Sequence, residues 1–396
     1  MSEHKNIILV TGSSGYLGYP IAERLARTFT VVGFDRRQPS HPPPGAECVY
    51  VDLTSEPSLR RGLQTIRDLH GERLASVIHL AAYYDFSGAA SPLYEKVTVR
   101  GTERLLRLLR GMFTVEQFIV SSTMLVHAAT TPGRPITEDS PLDPTWAYPQ
   151  SKVETEKVIH AERGDVPAVI LRIAGVYDDL GHSMPLPRQM QRIFEHDLTA
   201  SVFPGNLDHG QAMVHRDDVV DLYSLLVASR GKLPPELTLL VAEPETLSYG
   251  VMQQTLGDLI HGEKWKTRRI PKPLAKLGAW AQQSLPLGVT PFFKAWMIDR
   301  ADDHFELDIS RARKAVGWEP KRSLRETLPS VVAALKADPW AWYRENDLEM
   351  PQWLRGVEPK PARAGMPPLD LHGVLPSGSL ALDIGRLQEA VLGARP

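Results

Sequence analysis

Residues 6–25 read NIILVTGSSGYLGYPIAERL. Ile7 to Val10 form an apolar run of the kind buried in a parallel sheet, Gly12, Gly15 and Gly18 follow at every third residue, and Ile21, Ala22 and Leu25 keep a helical period. A strand that passes through glycines into a helix predicts a phosphate site. The glycines let the backbone turn tightly, approach a pyrophosphate and pack the helix on the strand, while the helix N-terminus faces the anion. A purely structural strand-to-helix turn uses the same residues, so the next strand matters. It reads TVVGFD, 30–35, and ends on Asp35. A carboxylate about 20 residues past the glycines accepts hydrogen bonds from the adenosine ribose of NAD and repels the 2′-phosphate of NADP. Arg36 and Arg37 follow directly and suit that phosphate, so NAD is expected and NADP stays possible. Asp52, in VYVDLT (49–54), either caps the next element or meets the adenine amino group.

Strand-like runs recur at 46–51, 75–82, 115–122, 168–173 and 237–242, with helical stretches between most of them. One such stretch, 93–110, carries its period on Val97, Leu105, Leu108 and Leu109. Alternation of this kind predicts an α/β fold with a doubly wound parallel sheet. After residue 175 the pattern loosens into short, proline-rich segments. The expected division is a dinucleotide-binding unit over 1–175 and about 210–242, a smaller C-terminal substrate lobe over 176–209 and 243–345, and a Pro/Gly-rich tail over 346–396 in which only 381–394 has a helical pattern.

The chain has 396 residues, 42% of them hydrophobic, enough for a full core. A formal net charge of -2 gives no overall attraction to nucleic acid. No apolar run approaches the roughly 20 residues of a membrane span. With one cysteine, Cys48, and a charged start, MSEHKN, without the pattern of a signal peptide, the expected compartment is the cytoplasm. The thirteen histidines show no metal-binding spacing, so no metal is expected, and His215 reads as a packed residue at a helix start.

In WAYPQSKVETEKV (146–158), Tyr148 and Lys152 stand four apart and share a helical face. A phenol with an ordinary pKa near 10 is a poor proton carrier at neutral pH unless a cation stabilises its phenolate, and Lys152 can be that cation. Such a pair is also common on helix surfaces. Its position gives it meaning, because it follows a strand ending in VSSTM (120–124), which puts hydroxyls at the carboxyl edge of the sheet, where open α/β sheets bind ligands.

Taken in order, TGSSGYLG (11–18), Asp35, DL (52–53), HLAA (79–82), SST (121–123), YPQSK (148–152) and LRIAGVY (171–177) resemble the extended short-chain dehydrogenase/reductase family, of the NAD-dependent epimerase/dehydratase type. The likeness runs on through MVHRDDVV (213–220) to DISRARKAVGWEPKRSLRETL (308–328). It implies a Rossmann unit with a smaller substrate lobe, and a catalytic trio of Thr123, Tyr148 and Lys152, with Ser122 as the fallback hydroxyl. It further implies cofactor contacts at Gly12, Gly15, Tyr16, Leu17, Gly18, Asp35, Arg36, Asp52, Leu53, Ala81, Ala82, Tyr148 and Lys152. A homodimer paired through the helices near 93–110 and 148–163 is also implied.

Departures from that family bear on the substrate. Dehydratases resemble one another in an Asp-Glu pair after the triad hydroxyl, where this chain has Met124 and Leu125. The asparagine and the Arg-Asp with which sugar-nucleotide enzymes hold a diphosphate are matched by Gly175 and by Gln211 and Ala212. Tyr83, Tyr84, Phe86, Met124 and Leu125 are expected to surround the reacting carbon. Trp280, Phe292, Phe293 and Trp296 either extend that pocket or form an ordinary lobe core. DPTWAYPQSK (143–152) is also similar to the 3β-hydroxysteroid dehydrogenase branch. The basic stretch 264–276 suits a solvated face, a phosphate-bearing substrate or a membrane surface. The reading is an NAD(P)-dependent oxidoreductase that interconverts an alcohol and a ketone on a largely apolar small molecule; the alternatives are a nucleotide-sugar epimerase that keeps its cofactor, and a non-catalytic dinucleotide sensor.

Overall fold

The computed structural model of the protein describes residues 6–37, 41–85, 88–183, 185–284 and 295–355. Its central sheet has seven strands: β1 (Ile7–Thr11), β2 (Thr30–Asp35), β3 (Ala46–Tyr50), β4 (Ser76–His79), β5 (Phe118–Thr123), β6 (Ala168–Ile173) and β7 (Glu236–Val241). Their spatial order is β7-β6-β5-β4-β1-β2-β3, and every pairing is parallel. The sheet is the doubly wound Rossmann type, and its order reverses at β1, so a crevice opens there between the loops that leave β1 and β4.

Successive residues of a strand face opposite sides of the sheet, and the core divides accordingly. Ile8 and Val10 point into one cluster with Ile21, Ile119, Leu239 and Trp318, whereas Ile7 and Leu9 point into a second with Val32, Leu59, Leu105 and Phe118. Both faces of β1 and β6 are covered, which is why Ile7–Val10 and Ala168–Leu171 are uninterrupted apolar runs. Helix α1 (Gly18–Ala26) lies on the first face; α2 (Glu56–His70) and α3 (Arg100–Met112) lie on the second, and α4 (Ala147–Glu162) sends Ile159 into the same cluster. The single helix expected over 93–110 begins as a wide π-turn, Tyr94–Val99, which places the Thr98 hydroxyl to accept from the Tyr83 N–H at 2.9 Å.

A third cluster belongs to the smaller lobe. It contains Leu186 and Met190 from α5 (Pro185–Phe194), then Leu256, Leu328, Val331, Trp342 and Tyr343. Two segments differ from the expected division. Phe305, Leu307, Ile309, Ala312 and Trp318 pack into the first cluster, against β7 and α6 (Arg216–Ala228), instead of into the lobe. Buried Asp218 is the reason: its carbonyl accepts from Trp318 Nε1 at 2.9 Å, and its carboxylate accepts from the backbone N–H groups of Lys321 and Arg322 at 2.9 and 3.1 Å. The packed chain also continues past Glu345, because Leu348 and Leu354 are buried in the lobe. The tail pattern from 356 onward, with its short helix at 381–394, lies outside the described residues.

Trp318 is 1% exposed and ties the returning segment to the sheet. Trp318→Ala should remove about 3–5 kcal/mol of stability, read as a lowered urea midpoint with a native circular dichroism spectrum before the transition.

Candidate active site

A cavity of about 1240 Å³ runs from the glycine loop, along the carboxyl ends of the strands, to the smaller lobe. Its first half is shaped by crowding. Gly12 has φ +74, and a Cβ there would stand 2.9 Å from the Ala81 amide nitrogen; a Cβ on Gly18 would fall on the carbonyl oxygen of Gly12. Neither position tolerates a side chain, so loop, α1 and the loop after β4 close on one another. Leu17 precedes α1 without a side-chain cap; the Tyr19 amide donates to the Gly15 carbonyl at 3.0 Å and Pro20 has no N–H, so the positive end of the helix borders the cavity at Gly18.

Asp35 ends β2 at the rim, where its carboxylate accepts from the N–H groups of Ser14 and Arg37, both at 3.0 Å. Asp52 accepts from the Thr54 amide and hydroxyl at 2.8 Å, closing the turn ahead of α2, whose own cap is Ser55. It therefore does not cap α2, and it lines the cavity. The Ala81 amide donates to Thr11 Oγ1 at 3.3 Å, Thr11 meets His79 Nδ1 at 2.7 Å, and His79 Nε2 meets Thr102 Oγ1 at 2.9 Å. Burial and nearby Lys152 push this imidazole down to about 3, so it is neutral and holds the loop in place. The structure brings Gly12, Gly15, Tyr16, Leu17, Gly18, Asp35, Arg36, Asp52, Leu53, Ala81 and Ala82 to this one cavity wall. A cradle that a Cβ would fill, an uncapped helix and a carboxylate at the second strand's end fit a dinucleotide.

The middle of the cavity holds Thr123, Tyr148 and Lys152. Thr123 is the last residue of β5, and its hydroxyl hydrogen-bonds Tyr148 on α4. Lys152, one turn along α4, donates to the Ser121 carbonyl at 2.9 Å and lies 5.9 Å from the Tyr148 ring centroid. Ser122 points away, donating to Glu156 at 2.5 Å, and Glu156 is locked to Arg172 at 2.7 Å. The pleat explains the choice: adjacent residues of β5 face opposite ways, so only one of the two hydroxyls reaches Tyr148. Burial pushes the Tyr148 phenol up, an effect the Thr123 hydrogen bond reduces. Burial also pulls Lys152 down to about 8, partly offset by Glu156.

Tyr84, Met124, Leu125, Trp146 and Trp296 wall this region; the Tyr84 and Tyr148 rings meet edge-on at 5.1 Å, and Trp146 sits 5.3 Å from Trp296. Two expected wall residues are elsewhere. Tyr83 packs edge-on against Tyr94 at 4.9 Å and is not on the cavity surface, and Trp280 is 63% exposed. Phe86, Phe292 and Phe293 lie outside the described residues. A Cβ on Gly175 would stand 2.6 Å from Met213 Sδ, so an asparagine there would require that side chain to move. His215 caps α6 by accepting from the Asp217 N–H at 3.1 Å.

Arg188 and Arg192 were not anticipated. They sit four apart on α5, where the sequence pattern loosens, and both line the lobe end of the cavity with Phe203 and Tyr249, whose rings are 4.8 Å apart. Burial lowers the pKa of both guanidinium groups, and Arg192 Nε donates to Thr199 Oγ1 at 3.1 Å. The available signal was the i,i+4 spacing of two arginines in PLPRQMQR (185–192). Among the described residues there is no group of three His, Cys, Asp or Glu able to hold a metal.

The profile of the NAD dependent epimerase/dehydratase family matches residues 8–239. The chain is 24% identical over 341 residues to dTDP-6-deoxy-L-talose 4-dehydrogenase (NAD(P)(+)) of Kitasatospora kifunensis, covering 84% of this chain and 97% of that protein. It is 27% identical over 237 residues to short-chain dehydrogenase/reductase family 42E member 1 of Danio rerio, covering 56% and 58% of the two chains. Its fold superposes on MoeE5 in complex with UDP-glucuronic acid and NAD with a TM-score of 0.62 at 21% identity, covering 84% and 99% of the two chains.

Gly12→Ala should weaken NAD binding at least about tenfold, or ~1.4 kcal/mol, through positive φ and the collision with Ala81. Calorimetry checks it, and an unchanged Kd would show that the loop does not carry the dinucleotide. The same titration should give tighter binding for NAD than for NADP, since Asp35 faces the rim; the reverse order would transfer ribose recognition to Arg36 or Arg37.

Proposed function

The chain belongs to the NAD-dependent epimerase/dehydratase family, and on that premise we propose that it is an NAD(P)-dependent oxidoreductase interconverting an alcohol and a ketone on a largely apolar small molecule. The observation that carries this reading is the meeting of Thr123, Tyr148 and Lys152 in a cavity that also contains the glycine loop. NAD, when bound, supplies the hydride acceptor. Tyr148, as phenolate, would take the proton of the substrate hydroxyl, and the Thr123 hydroxyl would hold the substrate oxygen in line. Lys152 is the buried cation that makes the phenolate accessible, and its anchor on the Ser121 carbonyl fixes it to the end of β5. Reduction retraces the path.

Support for an apolar substrate is the ring of Tyr84, Met124, Leu125, Trp146 and Trp296 around Tyr148. A second reading has its own observation. Arg188 and Arg192 face the far end of the cavity and suit a diphosphate, as a nucleotide-sugar epimerase or dehydrogenase requires. Added NAD separates them from each other: a dehydrogenase accumulates NADH, and an epimerase does not. Micromolar binding of UDP or dTDP would replace the apolar substrate by a nucleotide sugar. We include a cytoplasmic homodimer in the proposal, with α3 and α4 as its two-fold contact; a monomer mass in light scattering at micromolar concentration would remove it.

Tyr148→Phe should lower turnover at least about 100-fold and leave the NAD Kd within about twofold, because only the proton carrier is lost. Lys152→Ala should damage both. Burial sets the Lys152 ammonium at about 8, so its charge is full below that pH and lost above it. NAD affinity should therefore fall between pH 7 and pH 9 in the wild type, and this slope should be absent in Lys152→Ala.

A further inference from the structure

Lys152 is 5% exposed, and its ammonium donates to the Ser121 carbonyl at 2.9 Å; among the described residues no carboxylate forms a direct ion pair with it. Burial pulls the group down to about 8, and the charge that opposes this is Glu156, one turn further along α4. Glu156 is itself held from two strands. Ser122 Oγ of β5 donates to its Oε1 at 2.5 Å, and Arg172 of β6 donates through Nη2 to Oε2 at 2.7 Å and through Nε to Oε1 at 3.2 Å. Arg172 is 7% exposed, and its Nη1 turns the other way, to the Glu138 carbonyl at 2.9 Å and to His127 Nε2 at 3.1 Å. One carboxylate therefore serves two buried cations, Lys152 on its own helix and Arg172 on the sheet.

Fastening α4 to the sheet does not require ions. A buried ion pair is weak support for stability, because desolvation offsets most of the attraction and apolar residues of similar volume often hold as well. What an apolar pair lacks is an effect on a charge one turn away. The other titratable groups around this point supply no such effect. His79, from β4, and His127, after β5, are neutral, the first pushed down to about 3 by burial and Lys152, the second to about 4 by burial and Arg172. Tyr94, from the π-turn, acts on Tyr148.

We propose that Glu156 is a positioning residue: its carboxylate, fixed by Ser122 and Arg172, keeps Lys152 an ammonium ion beside Tyr148 at neutral pH. This rests on the reading of Lys152 as the cation that serves Tyr148, and it assigns the group that maintains that charge.

Protonation of Lys152 can be followed without turnover, by NMR of protein labelled at lysine Cε, its signal being the one missing from Lys152→Ala. Glu156→Gln should lower the midpoint of this titration by at least about one pH unit from the wild-type value of about 8, because two buried cations then share no anion. Arg172→Met should raise it by about half a unit or more, since the carboxylate then serves Lys152 alone. A merely structural pair would shift both variants the same way or neither. NAD affinity of Glu156→Gln should match wild type within about twofold at pH 6, where Lys152 is charged in both, and be about fivefold weaker at pH 8. The double variant Glu156→Gln, Arg172→Met leaves neither partner of the pair charged, and its midpoint should fall by about half a unit; it decides the matter if a single variant does not fold. An unchanged midpoint in Glu156→Gln or in the double variant, or shifts of the same sign in the two single variants, would overturn the proposal. The expected shifts in a protein that oxidises no alcohol would support the assignment of Glu156 and remove the hydride-transfer reading instead.

Discussion

Residue 18 carries no side chain because there is no space for one: the carbonyl of Gly12 occupies the position of its Cβ. That contact determines how close α1 approaches β1. It therefore determines where the helix N-terminus points and how far the loop stands from Ala81. The turn is reinforced from the opposite side by the buried Thr11–His79–Thr102 chain, in which a neutral imidazole joins β1, β4 and α3. A charged histidine there would repel Lys152, and burial keeps it neutral. The glycine loop and the loop after β4 are thereby held together across the sheet.

The middle of the cavity has its own constraint, Lys152, 5% exposed. Burying an ammonium is costly unless acceptors meet it, and here the Ser121 carbonyl does so directly while Glu156 acts from one turn away. Glu156 in turn is neutralised by Arg172, which also donates to the Glu138 carbonyl at 2.9 Å. Behind Tyr148 and Lys152 there is thus a line of paired charges reaching across β5 and β6. Ser122 is consumed by that line, which leaves Thr123 as the hydroxyl at Tyr148.

The second lobe is joined to the sheet by buried carboxylates. Asp218 receives the backbone of the 318–322 segment, and Glu243, just beyond β7, accepts from the Leu324 amide at 2.7 Å and the Tyr177 hydroxyl at 3.2 Å. Burial pushes Glu243 up to about 8 although both donors oppose the shift. These joints set the lobe's arginines, Arg188 and Arg192, and the ring of Trp296 over the cavity. The lobe half of the cavity is consequently made of residues far apart in sequence.

What was legible in the sequence is what local periodicity and steric necessity encode. Glycines at 12, 15 and 18 admit few backbones, apolar runs covered on both faces imply a parallel sheet, and Asp35 ends the second strand because the strand length is set by that sheet. The Tyr148–Lys152 pair was visible because four residues make one helical turn. The return of 305–318 to the sheet and the packing of Leu348 and Leu354 depend on partners distant in the chain, such as Asp218 for Trp318, 100 residues away. No window of sequence contains both members of those contacts. The same holds for the cavity wall: Tyr83 and Tyr84 are neighbours in the chain, yet only Tyr84 faces Tyr148, and Trp280 and Trp296 follow one composition but separate into solvent and cavity. Which side of a residue is inside is settled by the elements that arrive later to cover it, and that is a property of the tertiary structure alone.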